Sequence, residues 1–116
     1  MELEELNVYK IAMEIADEVW NIVSDWGYFE KSTAGKQLVE AADSVAANIS
    51  EGYGRFHYKE NKNFNYYARG SLFETKTWLT KSSRRKLIDK DKYQYLIHEL
   101  ESLAVKLNNY INSIGK

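Results

Sequence analysis

The chain has no proline among its 116 residues, and this absence constrains its fold more than any other feature. Proline ends or kinks a helix because it lacks a backbone N–H and clashes with the preceding turn. Long segments of this chain are therefore free to be helical throughout. Four of them place apolar residues at alternating steps of three and four, the spacing of one face of an α-helix. The sequence predicts an all-α protein.

Short connections between successive helices favour antiparallel neighbours, so we predict an up-down-up-down antiparallel four-helix bundle in a single domain, residues 1–116. The predicted helices cover about residues 6–26, 35–50, 58–84 and 91–114. On the third helix, the core-facing stripe is predicted to be Phe64, Ala68, Ser71, Thr75 and Trp78, widened by Leu72 and Leu79.

Turn-forming and capping residues mark the predicted connections. Gly27 is expected to end the first helix in the left-handed conformation that glycine adopts readily. Residues 28–34 are then expected to form a loop, from which Ser32 or Thr33 caps the second helix. Asp91 is the predicted N-cap of the fourth helix.

Charge is segregated along the chain, although the net charge is only -1. Residues 1–54 carry eleven acids and three bases, whereas residues 55–92 carry four acids and eleven bases. A separate basic block is typical of a surface that meets nucleic acid or an acidic partner. The alternative is that acidic and basic faces of neighbouring helices or subunits meet each other.

Residue content disfavours several classes of site. The absence of cysteine excludes disulfides and thiolate centres. His57 and His98 lack the Glu-x-x-His pattern of di-iron bundles, because the residues three positions earlier are Gly54 and Tyr95. No phosphate-binding glycine loop or nucleophile elbow is present. We therefore expect no metal, no cofactor and no small-molecule substrate.

The N-terminal segment bears on where the protein acts. MELEELNVYK is acidic and lacks the apolar stretch of a secretory signal. No run of about 18 apolar residues, the length needed to span a membrane, occurs in the chain. We expect a cytoplasmic protein with no membrane partner.

Bases and aromatic residues interleave along one face of the third helix. Steps of three and four connect Lys59, Lys62, Tyr66, Arg69, Phe73 and Lys76. Bases contact phosphates and aromatic rings stack on unpaired bases, so the pattern is typical of a nucleic-acid surface. It is also typical of a subunit interface with an aromatic centre and a lysine rim. Because a bundle needs one apolar face per helix, this second stripe favours a partner surface.

Further bases flank the third helix at both ends. Arg55 lies just before it, and Arg84, Arg85 and Lys86 extend the positive charge at its C-terminal end. These cations are candidate partner contacts. The alternative for the C-terminal cluster is a favourable interaction with the helix dipole.

Polar residues stand near the predicted turn between the second and third helices. Asn48 and Glu51 are three residues apart, and Glu74 follows Gly70 by four. If they are buried, hydrogen bonds across the helix corner would satisfy them, which is a structural role. An enzyme centre needs a partner acid, base or nucleophile, and the spacing supplies none. We expect no catalytic residue.

The glycines of this region have expected structural roles. Gly52 and Gly54 are expected to end the second helix and turn the chain. Gly70 and Ser71 lie inside the third helix, where two small residues are expected to admit a neighbouring helix closely.

Two motifs resemble a known family. The first is Asn48-Ile49-Ser50-Glu51-Gly52, within the longer segment GKQLVEAADSVAANISEGYGR at 35–55. The second is Gly70-Ser71-Leu72-Phe73-Glu74 on the third helix. Together they resemble the signature of the 23S rRNA intervening-sequence proteins, and the resemblance extends over nearly the whole chain.

The resemblance implies a four-helix bundle that assembles as a ring-like homopentamer and has no enzymatic activity. It also implies a relationship to the accessory protein of diversity-generating retroelements, a basic bundle that binds nucleic acid and a reverse transcriptase. The family usually has arginine, often preceded by another base, just before its paired alanines. Glu40 and Val39 occupy these positions here. This departure from the family pattern removes or reverses a basic contact on the second helix, which weakens the expectation of nucleic-acid binding and leaves the expected fold unchanged.

These observations lead to one functional prediction with one alternative. We predict a non-enzymatic binding or scaffold module that forms a homo-oligomer, pentameric by the resemblance, and contacts RNA or DNA through the basic surface of the third helix. The alternative is a purely structural or protein-interaction assembly that binds no nucleic acid.

Overall fold

Four long helices account for most of the chain in the computed structural model, which describes all of residues 1–116. They are α1 (Asn7–Ser24), α2 (Lys36–Tyr53), α3 (Tyr58–Arg84) and α4 (Lys90–Ser113). A 3-10 turn, Leu3–Glu5, precedes α1, and the chain contains no strand. The predicted all-α four-helix bundle is confirmed.

The order of the helices around the bundle follows the chain. Each helix packs against the next, and α1 closes the bundle against α4. The most extensive contact joins α2 to α3. The molecule measures 45 × 23 × 20 Å. Its length is set by α3, since 27 residues rise about 40 Å at about 1.5 Å per residue.

The apolar seams of the helices meet in one core of 21 buried residues. Its largest fully buried side chains are Leu38, Ile49, Leu72, Leu79, Leu96, Leu100, Leu103 and Leu107. Burying a leucine or isoleucine stabilises a fold by about 1.5–3 kcal/mol relative to leaving it exposed. The bundle is therefore held chiefly by the leucine seam of α4 packed between α1 and α3.

The core-facing stripe of α3 keeps Ala68, Leu72, Thr75 and Leu79 of the predicted set and adds Asn65 and Ser82. The buried residues are Asn65, Ala68, Leu72, Thr75, Leu79 and Ser82, whereas Phe64 and Trp78 are half-buried at the edge. Polar residues can occupy this stripe because hydroxyls bond to the preceding turn. Thr75 Oγ1 donates to the Ser71 carbonyl at 2.8 Å, and Ser82 Oγ donates to the Trp78 carbonyl at 2.7 Å.

The prediction of a loop at 28–34 is wrong. A short helical turn, Tyr28–Glu30, continues into a π-helical turn, Lys31–Gly35, and then into α2. The hydroxyls expected to cap α2 instead donate back to the Phe29 carbonyl, Ser32 at 3.1 Å and Thr33 at 2.7 Å. Because both hydroxyls are hydrogen-bonded to the preceding helical turn, neither is free to cap a new helix, and the backbone stays helical through these residues.

The predictions for the end of α1 and for the N-cap of α4 are also wrong. Gly27 has extended backbone angles, φ -68° and ψ 168°, and α1 has already ended at Ser24. The N-cap of α4 is Asp89, not Asp91, because Asp89 has the extended backbone of a cap and its Oδ1 accepts the Lys92 N–H at 2.8 Å.

The predicted end of α2 near residue 50 is three residues early. The helix runs to Tyr53, which leaves Gly52 inside its last turn and Gly54 just beyond. Neither glycine has a positive φ, so neither ends the helix in the left-handed conformation.

Candidate functional site

The basic stripe, which we define as Lys59, Lys62, Tyr66, Arg69, Phe73 and Lys76, lies on the outer surface of α3. Lys59 and Arg69 are exposed, and Lys62 and Lys76 are half-buried. Tyr66 keeps 51% of its surface exposed and Phe73 keeps 46%. The stripe borders α4, because Lys76 Nζ lies 3.6 Å from a carboxylate oxygen of Glu101.

Phe73 organises the middle of the stripe. The Arg69 guanidinium lies 5.7 Å from the centre of its ring, and the Lys76 ammonium lies 5.3 Å from it. Cations near an aromatic face are attracted by the ring quadrupole. Two positive charges therefore lie near one aromatic ring on the same helix, an arrangement suited to a phosphate backbone or to an acidic protein surface.

Arg55 is not part of this stripe. Its guanidinium lies 2.6 Å from a Glu51 carboxylate oxygen and 3.4 Å from one of Glu60. It also lies 4.8 Å from the centre of the Phe64 ring. Arg55 therefore links the end of α2 to the start of α3, and its charge is largely neutralised there.

The cluster of Arg84, Arg85 and Lys86 lies at the far end of α3, separate from the middle of the stripe. All three side chains are exposed, and none forms an ion pair within the protomer. Lys86 has a positive φ of 61° and donates its N–H to the Ser83 carbonyl at 3.0 Å, which closes the helix end. The cluster thus adds positive charge at a second location.

The polar motif residues do not gather into a reaction site. Asn48 Nδ2 donates to the Ser44 carbonyl of its own helix at 2.9 Å. Glu51 is paired with Arg55, and Glu74 is exposed without an ion pair. Only Glu51, through Arg55, helps to connect α2 with α3; Asn48 and Glu74 do not bridge the helix corner.

Gly70 does not admit a neighbouring helix within the protomer, contrary to prediction. A Cβ added there would meet nothing within 4 Å, so the residue faces open space in the middle of α3. Glycine in a helix interior costs about 1 kcal/mol relative to alanine. The surrounding aromatic side chains are exposed: Tyr66, Phe73 and Tyr67, the last at 59%. We call Tyr66, Tyr67, Gly70 and Phe73 the Gly70 face.

A second surface lies between α1 and α2, on the acidic half of the chain. It is a groove of about 270 Å³ whose walls are Tyr9, Met13, Ala16, Asp43, Ala46, Ala47 and Ser50. Small side chains form its floor, and Met13 is 41% exposed. Trp20, 60% exposed, continues the apolar surface along α1. We call this the acidic groove, because Asp43 lies in its wall and Asp17, which lines the neighbouring groove between α1 and α4, adds a second negative charge close to Asp43.

The carboxylates of Asp43 and Asp17 repel each other. Partial burial and then the nearby negative charge of Asp17 raise the pKa of Asp43 above its ordinary value. Neither carboxylate takes part in any of the protein's four ion pairs. A cationic partner placed here would therefore relieve an unfavourable interaction.

The residue pattern along α3 predicts the basic stripe, whereas no pattern within a single helix predicts the acidic groove. The spacing of Tyr9, Ala16, Trp20 and Val23 predicts a second apolar stripe on the first helix, which suits contact with more than one neighbour, and Trp20 on this stripe is exposed. The signal that was available is the acid-rich composition of residues 1–54, which places unpaired carboxylates on α1 and α2.

No cluster of three or more histidine, aspartate or glutamate side chains is arranged to hold a metal ion. None of the helices has the length and apolar character needed to cross a membrane.

Comparisons with known proteins identify the family. The profile of the 23S rRNA-intervening sequence proteins matches residues 4–109. No curated protein matches the chain. A crystal structure from Bacteroides thetaiotaomicron, of a protein with unknown function from the S23 ribosomal protein family, is similar with a TM-score of 0.81 at 21% identity, covering 91% of this chain and 99% of that one. The protein described here belongs to the 23S rRNA-intervening sequence protein family.

Proposed function

We propose that the protein is a non-enzymatic binding module that assembles into a homo-oligomer and contacts nucleic acid through the basic stripe of α3. The observation that carries the nucleic-acid contact is the arrangement around Phe73. Two cations are held near its ring, and an exposed tyrosine lies two helical turns before Phe73 on the same face. Such a surface offers phosphate contacts and a platform for base stacking.

Charge that is not neutralised within the protomer supports this proposal. Lys59, Lys62 and Arg69 form no ion pair, and Lys76 has one exposed carboxylate partner, Glu101. Exposed ion pairs contribute little, about 0.2–1 kcal/mol, so Lys76 can exchange Glu101 for a phosphate at small cost. The stripe therefore presents up to four cations to a ligand.

Exposed apolar surface supports the proposal of self-assembly. The acidic groove and the adjoining Trp20 expose large apolar side chains on the outside of a bundle whose core is already complete, and none of these side chains belongs to the basic stripe. Exposed patches of this kind mark interaction sites. The pentameric ring implied by the family resemblance is the stoichiometry that we propose.

Replacing Arg69 and Lys76 by alanine together is expected to weaken nucleic-acid binding. The logarithm of the binding constant for a duplex DNA probe should depend less steeply on the logarithm of salt concentration, by roughly 1.8, since each phosphate contact contributes about 0.9. The loss should be similar for probes of different sequence, because backbone contacts carry no sequence information. Fluorescence anisotropy titrations at several salt concentrations measure both quantities.

The matched control replaces Lys10 and Lys106, two exposed lysines on α1 and α4, by alanine. This change removes the same net charge away from the stripe and should leave the salt dependence nearly unchanged. If wild-type protein fails to bind structured RNA, single-stranded DNA and duplex DNA at low salt, the nucleic-acid part of the proposal is wrong.

A purely structural assembly is the second candidate function. The observation in its favour is that Arg69 and Lys76 already lie beside Phe73, so the protomer satisfies part of their interactions itself. In that case the wild-type protein assembles normally and binds no nucleic acid at any salt concentration.

A further inference from the structure

We propose that a cavity at one end of the bundle binds a nucleoside phosphate, with the base against Phe29 and the phosphate against Arg85. The cavity measures about 390 Å³, within the range of about 300–1,000 Å³ that is typical of small-molecule sites. Its walls are Phe29, Glu30, Thr33, Ala34, Arg85 and Leu87. None of these residues belongs to the basic stripe or to the acidic groove, so the cavity is separate from both surfaces and from the functions proposed for them.

Two turns from different parts of the chain form the walls of this cavity. On one side, the π-helical turn Lys31–Gly35 continues the short turn that carries Phe29. On the other side, the Leu87 N–H donates to the Ser82 carbonyl at 2.9 Å, which fixes the loop that carries Arg85 beyond the end of α3. Turns of the π type occur frequently at functional sites. The backbone thus holds an aromatic ring and a guanidinium in the walls of one cavity.

Charge at the cavity favours a ligand with more than one negative charge. Arg85 and its neighbours Arg84 and Lys86 are exposed and form no ion pair within the protomer. Against these three cations, the cavity wall contains one carboxylate, that of Glu30. A phosphate group carries about 1.5–2 negative charges at neutral pH, and arginine binds its oxygens through two parallel hydrogen bonds.

The apolar part of the cavity is suited to a planar ring. Phe29 keeps 71% of its surface exposed and shares the cavity with half-buried Leu87 and buried Ala34. Bases of nucleotides stack on exposed aromatic rings of this kind. The Glu30 carboxylate is available to accept a hydrogen bond from the exocyclic amino group of a base. Inorganic phosphate would leave Phe29 uncovered and a purely apolar ligand would leave Arg85 unpaired, whereas a nucleoside phosphate satisfies both.

Isothermal titration calorimetry with adenosine monophosphate (AMP) at low salt tests the proposed site. Wild type is expected to bind AMP. Phe29→Ala and Arg85→Ala should each raise the dissociation constant about tenfold, because the first removes base stacking and the second removes charged hydrogen bonds to the phosphate. Inorganic phosphate should bind at least about tenfold more weakly than AMP, since it has no base to stack. In NMR spectra of wild type, AMP should shift the backbone amide signals of residues 29–34 and 85–87.

The matched controls are Tyr28→Ala and Lys90→Ala. Tyr28 is an aromatic residue, 86% exposed, directly before Phe29, and Lys90 is an exposed cation at the same end of the bundle. Neither residue lines the cavity. Both variants should bind AMP like wild type. All four substitutions replace exposed side chains, so each variant is expected to stay folded, which circular dichroism checks.

Two oligonucleotide probes distinguish a free nucleotide from the end of a strand. One short single strand carries a 5′-phosphate and the other, of the same sequence, carries a 5′-hydroxyl. Both are titrated into protein with Arg69→Ala and Lys76→Ala, in which the basic stripe contributes little. Tighter binding of the phosphorylated strand than of AMP identifies a strand end as the ligand, and tighter binding of AMP identifies a free nucleotide.

Three results would contradict the proposed site. Neither AMP nor the phosphorylated strand binds at millimolar concentration, their binding is the same after Phe29→Ala and Arg85→Ala, or inorganic phosphate binds as tightly as AMP. Each of these results concerns the bundle end alone, and the contact of nucleic acid with the basic stripe is decided separately by the salt dependence of duplex binding.

Discussion

Replacing Gly52 by alanine is expected to destabilise the protein by about 3 kcal/mol, because α2 and α3 approach too closely there for any side chain. A Cβ at this position would lie 2.7 Å from Asn61 Oδ1, 2.9 Å from the Asn61 carbonyl oxygen and 3.0 Å from Asn65 Nδ2. The carbonyl belongs to the backbone of α3 and cannot move without shifting the helix. For a chain of this size the melting temperature should fall by roughly 10 °C.

The control for this change is Gly54→Ala, two residues further along. A Cβ there would meet only the carbonyls of Glu51 and Ser50, both at an ordinary 3.7 Å, and the backbone φ is -77°. We expect a change within about 0.5 kcal/mol. Urea unfolding at one fixed protein concentration compares the three proteins. Equal stability of Gly52→Ala and wild type would mean that α2 and α3 do not pack as described.

Replacing Asn65 by aspartate is expected to cost about 4 kcal/mol at neutral pH, since it places an unpaired charge in the core. Asn65 is fully buried. Its Nδ2 donates to the Asn61 carbonyl oxygen at 2.9 Å and to Asn61 Oδ1 at 2.8 Å. In Asn65→Asp, a carboxylate oxygen would face these two acceptors with no hydrogen to offer either. Chemical denaturation at neutral pH measures the loss.

The pH dependence of Asn65→Asp identifies the cause of the loss. Folding disfavours the ionised carboxyl, so its pKa in the folded state lies above the unfolded value of about 3.9. The deficit relative to wild type is then full above the folded pKa and shrinks as pH falls through it towards the unfolded value. The matched control is Asn63→Asp at an exposed position of the same helix, with an expected change within about 0.5 kcal/mol. A deficit that does not change with pH would contradict this explanation.

These two sites also show what the sequence could and could not predict about the fold. Helical spacing predicts the four helices and the leucine seam of α4, because apolar periodicity follows directly from burial of one face. It cannot predict that Asn65 replaces Phe64 in the core. That exchange depends on Asn61 lying four residues earlier on α3 and on Gly52 packing against both. The contact among Asn61, Asn65 and Gly52 forms only when α2 and α3 pack together, so no pattern within one helix reveals it.

The same limit applies to the loop that was predicted before α2. Serine and threonine favour caps and turns, so Ser32 and Thr33 suggested a helix start. Within a helix, the same hydroxyls can bond to the carbonyl three or four residues earlier, which is what they do here at Phe29. Local sequence permits both outcomes, and the packing of the preceding turn decides between them.

The candidate surfaces divide in a similar way. The basic stripe was predictable because bases and aromatics on one face of α3 are a one-dimensional pattern. The acidic groove was not predictable in this way, because its walls come from two helices. Met13 and Asp43, for example, are 30 positions apart in sequence. Gly70 was expected to pack closely within the bundle, and only the open space around it shows that any close contact must come from outside the protomer.

The proposed function requires this bundle to act as an assembly of identical copies. Its most direct test is the molar mass of the wild-type protein in solution at micromolar concentration, measured by light scattering or native mass spectrometry. We expect a particle of five chains, each of 13.5 kDa, close to 68 kDa in total. A single species with the mass of one chain, 13.5 kDa, would contradict it.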